Sequence, residues 1–145
     1  MPAAMSEGGG DRFEEGLRVR GEVLGSEHVR RSLETASDFA RPMQELVTEY
    51  CWGAIWSRPG LARRDRSLIN LAMLTALGRS HELAVHVRGA VANGCTKREM
   101  QEALLQAAIY CGVPAGMEAF RVVDGVLEEL EGNGVAVAEG GDVGG

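Results

Sequence analysis

The feature that most constrains the fold is the spacing of apolar residues, which recur every three or four positions through almost the whole chain. No sustained alternation with a period of two, bounded by hairpin turns, interrupts this pattern. A period near 3.6 is that of an amphipathic helix, whereas a half-buried strand has a period of two. The sequence therefore predicts an all-α fold.

Glycine and proline divide this pattern into about six helices. We predict that short turns join them into a compact bundle. A weaker segment over 26–40 is predicted to form a short helix or an ordered arm. The helix over 63–77 is apolar nearly all round, which predicts that it is the central one. The six predicted helices cover 11–24, 42–56, 63–77, 81–93, 96–112 and 114–130.

Three of the predicted helices begin with capping signals. Asp11 is followed by Glu14 at the spacing of a capping box. Thr96 is followed by Glu99 at the same spacing, and Ser80 can cap the helix that follows it. A cap satisfies backbone N–H groups that have no acceptor within the helix. These residues therefore predict where the three helices start.

The two ends of the chain differ from its body. Residues 1–10 and 131–145 are rich in glycine and small residues, which predicts disordered tails. The chain has 145 residues, of which 45% are hydrophobic and 25% charged, close to the average of globular domains. Residues 11–130 are long enough to bury a core without metals or disulfides, so we predict one domain there.

The net charge of −6 belongs to the ends of the chain. Once the six acids near the ends are set aside, 15 acids balance 15 basic residues. A neutral body has no net field that attracts phosphates, which argues against nucleic acid as a partner. The six acids are Glu7, Glu128, Glu129, Glu131, Glu139 and Asp142.

The cysteine content and the hydropathy indicate a cytoplasmic protein. Cys51, Cys95 and Cys111 form an odd, sparse set with no C-x-x-C pair, typical of a reducing compartment. Each is predicted to be a small buried hydrophobic residue rather than a nucleophile. We find no signal peptide and no apolar run near the roughly 18 residues of a spanning helix, so we expect no membrane partner.

Glu82 and His86 are four residues apart on a predicted helix and therefore share one face. A carboxylate beside an imidazole raises the pKa of the imidazole, which suits a general acid near neutral pH. A surface ion pair worth a few tenths of a kcal/mol is the alternative. The spacing alone leaves both interpretations open.

The turn before this helix offers a second candidate. Its backbone N–H groups can hold an anion, and His81 lies beside them. His81 and His86 are five apart, a poor spacing for two metal ligands on one helix, and no cysteine stands nearby. No glycine-rich nucleotide loop or nucleophile elbow is present. The sequence therefore predicts neither a metal site nor a cofactor.

Two carboxylates and two indoles recur at helical spacing on the helix over 42–56: Glu45, Glu49, Trp52 and Trp56. For Trp56 we favour a place in the core, which is the commoner role of aromatic residues at this spacing. The alternative is one wall of a pocket that is part polar and part apolar. A cluster of arginines follows and can grip a carboxylate or form a solvated turn: Arg58, Arg63, Arg64 and Arg66.

Four segments resemble the carboxymuconolactone decarboxylase family. They are 45–61 (ELVTEYCWGAIWSRPGL), 63–79 (RRDRSLINLAMLTALGR), 82–94 (ELAVHVRGAVANG) and 102–115 (EALLQAAIYCGVPA). The resemblance spans roughly residues 12–130, and the WGxxWSRPGL block is its most specific part. It implies the all-α fold of the alkyl hydroperoxidase D-like superfamily.

The chain departs from the peroxidase branch of that superfamily. The peroxidases carry a C-x-x-C motif followed four residues later by a histidine. Here the histidine is His86, while Arg79 and Glu82 occupy the cysteine positions and Ser67 replaces a glutamate. Without the redox sulfurs the resemblance favours the decarboxylases.

The resemblance implies cofactor-free decarboxylation of a lactone, 4-carboxymuconolactone, to β-ketoadipate enol-lactone in the breakdown of protocatechuate. On that hypothesis His86 delivers a proton or donates to the oxyanion, and Glu82 orients it. The arginine cluster grips a carboxylate, and Trp52 with Trp56 supplies an apolar wall. Glu45 and Glu49 are rivals for the acid and base roles.

Other functions stay open from the sequence. They are a hydroperoxide oxidoreductase, a decarboxylase or isomerase of another lactone or keto acid, and a non-catalytic helical assembly protein. The resemblance also implies a homo-oligomer, either a trimer or a hexamer. The segment 26–40 and the many apolar helix faces agree with contacts between copies.

Overall fold

The computed structural model of the protein describes residues 6–144. These residues form seven α-helices and one π-helix, and no strand occurs among them, which confirms the all-α prediction. None of the helices in this range is both long and apolar enough to cross a membrane. The helices are α1 (Ser6–Leu24), α2 (Ser26–Glu34), α3 (Arg41–Leu46), the π-helix (Val47–Trp56), α4 (Arg63–Leu77), α5 (Ser80–Ala92), α6 (Lys97–Cys111) and α7 (Val113–Gly132).

The chain divides into two compact units, with the boundary after Leu61. The first unit contains α1 to α3 and the π-helix, and the second contains α4 to α7. The single domain over 11–130 stays a prediction, and each unit is described by itself.

Two glycines allow α1 and the π-helix of the first unit to approach closely. A Cβ atom added at Gly16 would lie 1.9 Å from the carbonyl oxygen of Thr48. One added at Gly53 would lie 2.2 Å from the carbonyl oxygen of Arg12. Both distances are far below van der Waals contact, so only glycine fits at these positions. The backbones of the two helices therefore touch directly.

Arg20 joins α1 to the start of the π-helix. Its guanidinium donates to Thr48 Oγ1 and to Gln44 Oε1, each at 3.0 Å. Thr48 Oγ1 in turn donates to the carbonyl oxygen of Gln44 at 2.8 Å. Arg20 is only 6% exposed, and its burial lowers the pKa of the guanidinium. These contacts lie where α3 passes into the wider π turn.

The second unit is a four-helix arrangement in which α4 contacts each of α5, α6 and α7. Its core is built from buried aliphatic residues on all four helices: Leu71, Leu83, Val87, Met100, Leu104, Ala119, Val123 and Val126. The opposite face of α4 is exposed, because Ile69, Met73 and Leu77 are 45%, 49% and 67% accessible. Apolar residues therefore occupy both the buried face and the exposed face of α4.

The helix boundaries confirm some capping predictions and overturn two. Thr96 and Glu99 form the predicted capping box at the start of α6. The Asp11 cap is wrong because α1 begins at Ser6, and residues 6–10 of the predicted tail are helical. The Ser80 cap is also wrong: Ser80 is the first residue of α5, and its hydroxyl donates to Glu118 Oε1 at 3.3 Å. Both capping signals depend on a few neighbouring residues. They do not mark the start of a helix when the backbone before them is already helical.

Residues 136–142, called here the C-terminal strap, lie against the start of α6. The carbonyl oxygens of Ala138 and Glu139 accept hydrogen bonds from the backbone N–H groups of Lys97 and Arg98 at 2.9 and 3.0 Å. Val137 packs against the core of the second unit. Glycine content predicts a disordered tail here, but the first N–H groups of a helix need acceptors and the strap supplies them.

Candidate active site

Helices α4 and α5 bring two pairs of polar side chains together in the second unit. Asn70 Nδ2 lies 3.4 Å from His86 Nδ1. Asn93 Nδ2 lies 2.9 Å from Ser67 Oγ. Ser67 is fully buried, whereas Asn70 and His86 are half-buried. The histidine that the sequence singles out is therefore held by an amide of the neighbouring helix.

Burial decides the charge of His86. It lowers the pKa of the imidazole below its ordinary value of 6.5, and the charge of Glu82 opposes this with a smaller effect. The sequence predicts a raised pKa from Glu82 alone, which is wrong in sign. Glu82 is exposed to water, where its field is screened, while the ring loses part of its hydration. His86 is therefore a neutral imidazole near pH 7.

Asn70 contacts His86, and the sequence analysis does not single it out. It lies on α4 at half-buried depth, three residues after Ser67. Residues three apart share a helix face, so both side chains point toward α5. An amide among the apolar residues of the segment 68–74 is the signal that could have found it.

Arg64 is already engaged in the second unit. Its guanidinium pairs with Glu99, the carboxylate of the capping box. Arg64 also lies 3.7 Å from Asp65. A substrate carboxylate would have to compete with these acids for Arg64. Arg66 is half-buried on the same helix.

The two tryptophans lie in the core of the first unit. Trp52 and Trp56 are 2% and 5% exposed, and their rings stack with centroids 4.7 Å apart. They pack with Val19 and Val23 of α1. The core interpretation therefore describes both indoles, because very little of either ring is exposed, and their role as a pocket wall stays a prediction.

The expected stripe of carboxylates and indoles does not form one face. Glu45 is exposed on α3 and Glu49 is half-buried in the π-helix, whereas both indoles are buried. Glu45 lies on α3, before the chain passes into the π-helix with its wider turns, so the four residues do not follow one regular α-helical face. Arg58 follows this helix and is exposed.

The turn before α5 is not a ready anion site. His81 is exposed, and the cavity beside it, lined by Gly78, Ser80 and Glu118 among others, has a volume of about 30 Å³. The carboxylate of Glu118 already accepts from the Ser80 hydroxyl. An anion in this cavity would meet the charges of both Arg79 and Glu118, and His81 does not line it, which weakens that interpretation of His81.

The cysteines differ from the prediction in two of three cases. Cys95 is buried in the core, and burial raises the pKa of its thiol to about 11. Cys51 and Cys111 are exposed rather than buried. Burial of its sulfur still raises the pKa of the Cys51 thiol. Raised pKa values disfavour the thiolate that a nucleophile requires.

The larger cavities of the second unit lie elsewhere. One of about 530 Å³ lies along α6 beside the end of the C-terminal strap, and one of about 440 Å³ lies between α6 and α7. Neither is lined by His86 or Glu82. Within residues 6–144, no three His, Cys, Asp or Glu side chains are grouped closely enough to hold a metal ion.

Comparison with known proteins gives two relatives of similar length. Nitrosuccinic acid decarboxylase npaB of Metarhizium robertsii is 46% identical over 122 residues, covering 84% of this chain and 85% of the relative. The 4-carboxymuconolactone decarboxylase of Acinetobacter baylyi is 45% identical over 119 residues, covering 82% and 89%. Both relatives are named as decarboxylases.

A third relative and a family profile extend this result. An uncharacterised 15.0 kDa protein of Paracoccus denitrificans is 33% identical over 98 residues, covering 61% of this chain and 73% of that protein. The profile of the carboxymuconolactone decarboxylase family matches residues 41–125, from α3 into α7. The chain belongs to the carboxymuconolactone decarboxylase family.

Proposed function

We propose that this family member is a cofactor-free carboxy-lyase that converts 4-carboxymuconolactone to β-ketoadipate enol-lactone and CO₂. The observation that carries the proposal is 45% identity to a 4-carboxymuconolactone decarboxylase over 82% of this chain. The reaction would serve protocatechuate breakdown in the β-ketoadipate pathway. The neutral, half-buried His86 also supports the proposal, because such a ring can donate an N–H group to an oxyanion.

The substrate supplies its own electron sink. Its γ-carbon carries the departing carboxylate and a carboxymethyl arm. The double bond between the α- and β-carbons lies between this γ-carbon and the lactone carbonyl and is conjugated with the carbonyl. When CO₂ leaves, the electron pair moves through the double bond to the carbonyl oxygen and forms a dienolate. A proton then adds to the α-carbon and gives the enol-lactone. The protein has to bind the arm, stabilise the oxyanion and deliver that proton.

His86 suits stabilisation of the oxyanion better than a role as a cationic acid. Because its pKa is lowered, the ring is neutral at pH 7 and can donate one N–H to the developing negative charge. The proton that adds to the α-carbon then comes from water. Glu82 favours the protonated ring through its charge, and its proposed role is to orient His86.

The proposed carboxylate-binding groups are drawn from the sequence. In the second unit they are Arg66 and, if it exchanges its partner Glu99, Arg64. Arg58 and His81, which can also bind an anion, and Glu49, which could bind another part of the substrate, stay predicted substrate-binding residues. Arginine is suited to this task because its planar guanidinium can bind a carboxylate through two parallel hydrogen bonds.

Turnover tests the proposed reaction directly. The lactone is generated in situ from protocatechuate with the upstream enzymes, and the EDTA-treated protein is added while CO₂ and enol-lactone are followed. We expect rapid turnover that does not depend on added metal. A rate equal to the spontaneous rate would overturn the assignment of this substrate.

Two substitutions test the assigned residues in the same assay. We expect His86→Ala and Glu82→Gln each to lower kcat by about 10²-fold, the usual contribution of proton transfer or oxyanion binding. Leu105→Ala, an exposed change on α6, is the matched control and should keep wild-type turnover. Wild-type rates in both site variants would remove these two residues from the mechanism.

Nitrosuccinic acid is a second candidate substrate, because npaB is equally similar to this chain. Both molecules contain a succinate unit whose departing carboxylate lies on a carbon that also carries an electron sink: the unsaturated lactone in one and the nitro group in the other. Both also keep a carboxymethyl arm. The kcat/KM values for the two substrates under one set of conditions decide between them, and a ratio above about 100 assigns the substrate.

We also propose a cytoplasmic homo-oligomer, either a trimer or a hexamer. The exposed stripe of Ile69, Met73 and Leu77 on α4 supports contacts between copies, since residues four apart lie on one helix face. All three cysteines are free, in agreement with a reducing compartment.

A further inference from the structure

We infer that Asn70 is a positioning residue that holds the ring of His86 in the tautomer with its proton on Nε2. The catalytic consequence rests on the proposed function, whereas the tautomer itself rests on the contact between α4 and α5. Asn70 is proposed to act through the histidine and not on the substrate.

With the amide nitrogen of Asn70 facing the ring, the contact allows one arrangement of protons. The Asn70 Nδ2 group lies 3.4 Å from His86 Nδ1. An amide NH₂ group can only donate, so Nδ1 must offer its lone pair. A neutral imidazole carries one proton, which then resides on Nε2. The reversed amide would present Oδ1 to the ring and would require the proton on Nδ1.

The surrounding structure holds the two side chains in this register. Leu71 follows Asn70, Val87 follows His86, and both are fully buried in the same core. Asn93 and Ser67 form a second hydrogen bond between the two helices at 2.9 Å. A shift of one helix along the other would expose core residues and break this bond. The amide and the ring therefore stay opposite each other.

This tautomer has a direct use in the proposed reaction. An oxyanion is stabilised by an N–H donor and repelled by a nitrogen lone pair. With Nδ1 occupied by Asn70, the N–H donor of the neutral ring lies on its Nε2 edge. Asn70 would thus set which edge of His86 can act on the dienolate.

Ring ¹⁵N chemical shifts of the full-length protein test the tautomer without any substrate. Spectra are recorded near pH 8, roughly 1.5 units above the ordinary imidazole pKa, and the His86 signals are identified by their loss in His86→Gln. We expect the Nε2–H form in the wild type. Asn70→Asp replaces the donor with an acceptor of nearly the same shape and should move the proton to Nδ1.

Asn93→Asp is the matched control, because it makes the same chemical change between the same two helices but at Ser67. We expect it to leave the His86 tautomer unchanged. An Nδ1–H form in the wild type, or an Nε2–H form kept in Asn70→Asp, overturns the inference. If Asn70→Asp does not fold by circular dichroism, the wild-type spectrum alone decides.

Kinetics separate this inference from the proposed function. We expect Asn70→Asp to lower kcat about tenfold or more while KM changes less than about threefold, because substrate binding is not touched. If His86→Ala turns over normally, the catalytic role of His86 fails while the tautomer result stands. If the lactone is the substrate and the tautomer is Nδ1–H, the inference about Asn70 fails alone.

Discussion

At the scale of single residues, the burial of His86 makes the stability of the protein depend on pH. The folded ring has a pKa below 6.5, whereas the unfolded chain binds that proton near 6.5. As pH falls through this window the unfolded state takes up the proton first, so His86 lowers the free energy of unfolding. Above the window the residue is neutral in both states and has no effect.

The same shift predicts the acid limb of activity. If neutral His86 is the working form, kcat/KM should be flat near pH 7 and should fall with an apparent pKa below 6.5. Glu82→Gln removes the charge that raises the His86 pKa, so a direct NMR titration of His86 should then give a still lower value. A wild-type acid limb above 6.5, or a higher His86 pKa in the variant, would contradict this prediction.

At the scale of elements, the contact between α1 and the π-helix depends on the missing side chain of Gly16. We predict that Gly16→Ala lowers the free energy of unfolding by about 3 kcal/mol, because the added methyl group meets the Thr48 carbonyl oxygen and drives the backbones apart. Urea denaturation measures this change.

Gly10 on the same helix is the control for that experiment. An added Cβ there meets no atom within 4 Å, so Gly10→Ala should be neutral or should stabilise the helix by up to about 1 kcal/mol. Equal effects of the two substitutions would mean that the close crossing does not contribute to stability.

A second element, the C-terminal strap, acts through its backbone. We predict that removing residues 136–145 lowers the free energy of unfolding by about 2 kcal/mol, since two N–H groups at the start of α6 lose their acceptors and Val137 leaves the core. Thermal unfolding of the truncated and full chains measures the difference.

The charged side chains of the strap provide the matched comparison. Glu139 pairs with Lys97 and Asp142 with Arg98, each at 2.9 Å, but both acids are largely exposed. The double variant Glu139→Gln and Asp142→Asn should change stability by less than about 0.5 kcal/mol, because exposed ion pairs are screened by water. A loss as large as that of the truncation would assign the stabilisation to charge instead.

At the scale of the whole molecule, the apolar stripe on α4 predicts association. Met73 is the middle residue of the stripe and is 49% exposed. We predict that the wild type sediments as a trimer or hexamer and that Met73→Glu dissociates it, because a charge cannot be buried in an apolar contact without a partner.

Val143, which is 89% exposed and lies outside the stripe, gives the control for this test. Val143→Glu should sediment like the wild type. A monomeric wild type would contradict the prediction, and an intact oligomer in Met73→Glu would place the interface on another surface.

Signals confined to a few neighbouring residues predicted the helices best. Thr96 and Glu99 start α6 as predicted, and Gly78 ends α4 with a positive φ of 69°. Such signals work because the groups that satisfy each other lie within one helical turn. The Asp11 and Ser80 caps fail because a local signal does not prevent a helix from beginning earlier.

The interpretation of the site failed where distant residues meet. The lowered pKa of His86 depends on burial between helices, which no spacing along one helix reveals. Asn70 is 16 residues away from His86 in the chain and contacts it only because α4 and α5 pack together. The two tryptophans belong to a core because the π-helix turns them toward α1.

By itself the sequence determined the helical class, most helix boundaries and the family, because periodicity, caps and motif blocks follow one another along the chain. Only the tertiary structure decided the lowered pKa of His86, its contact with Asn70, the burial of Trp52 and Trp56, and the hydrogen bonds that the strap accepts from α6. Those properties depend on desolvation and on contacts between separate helices, which exist only after the chain has packed.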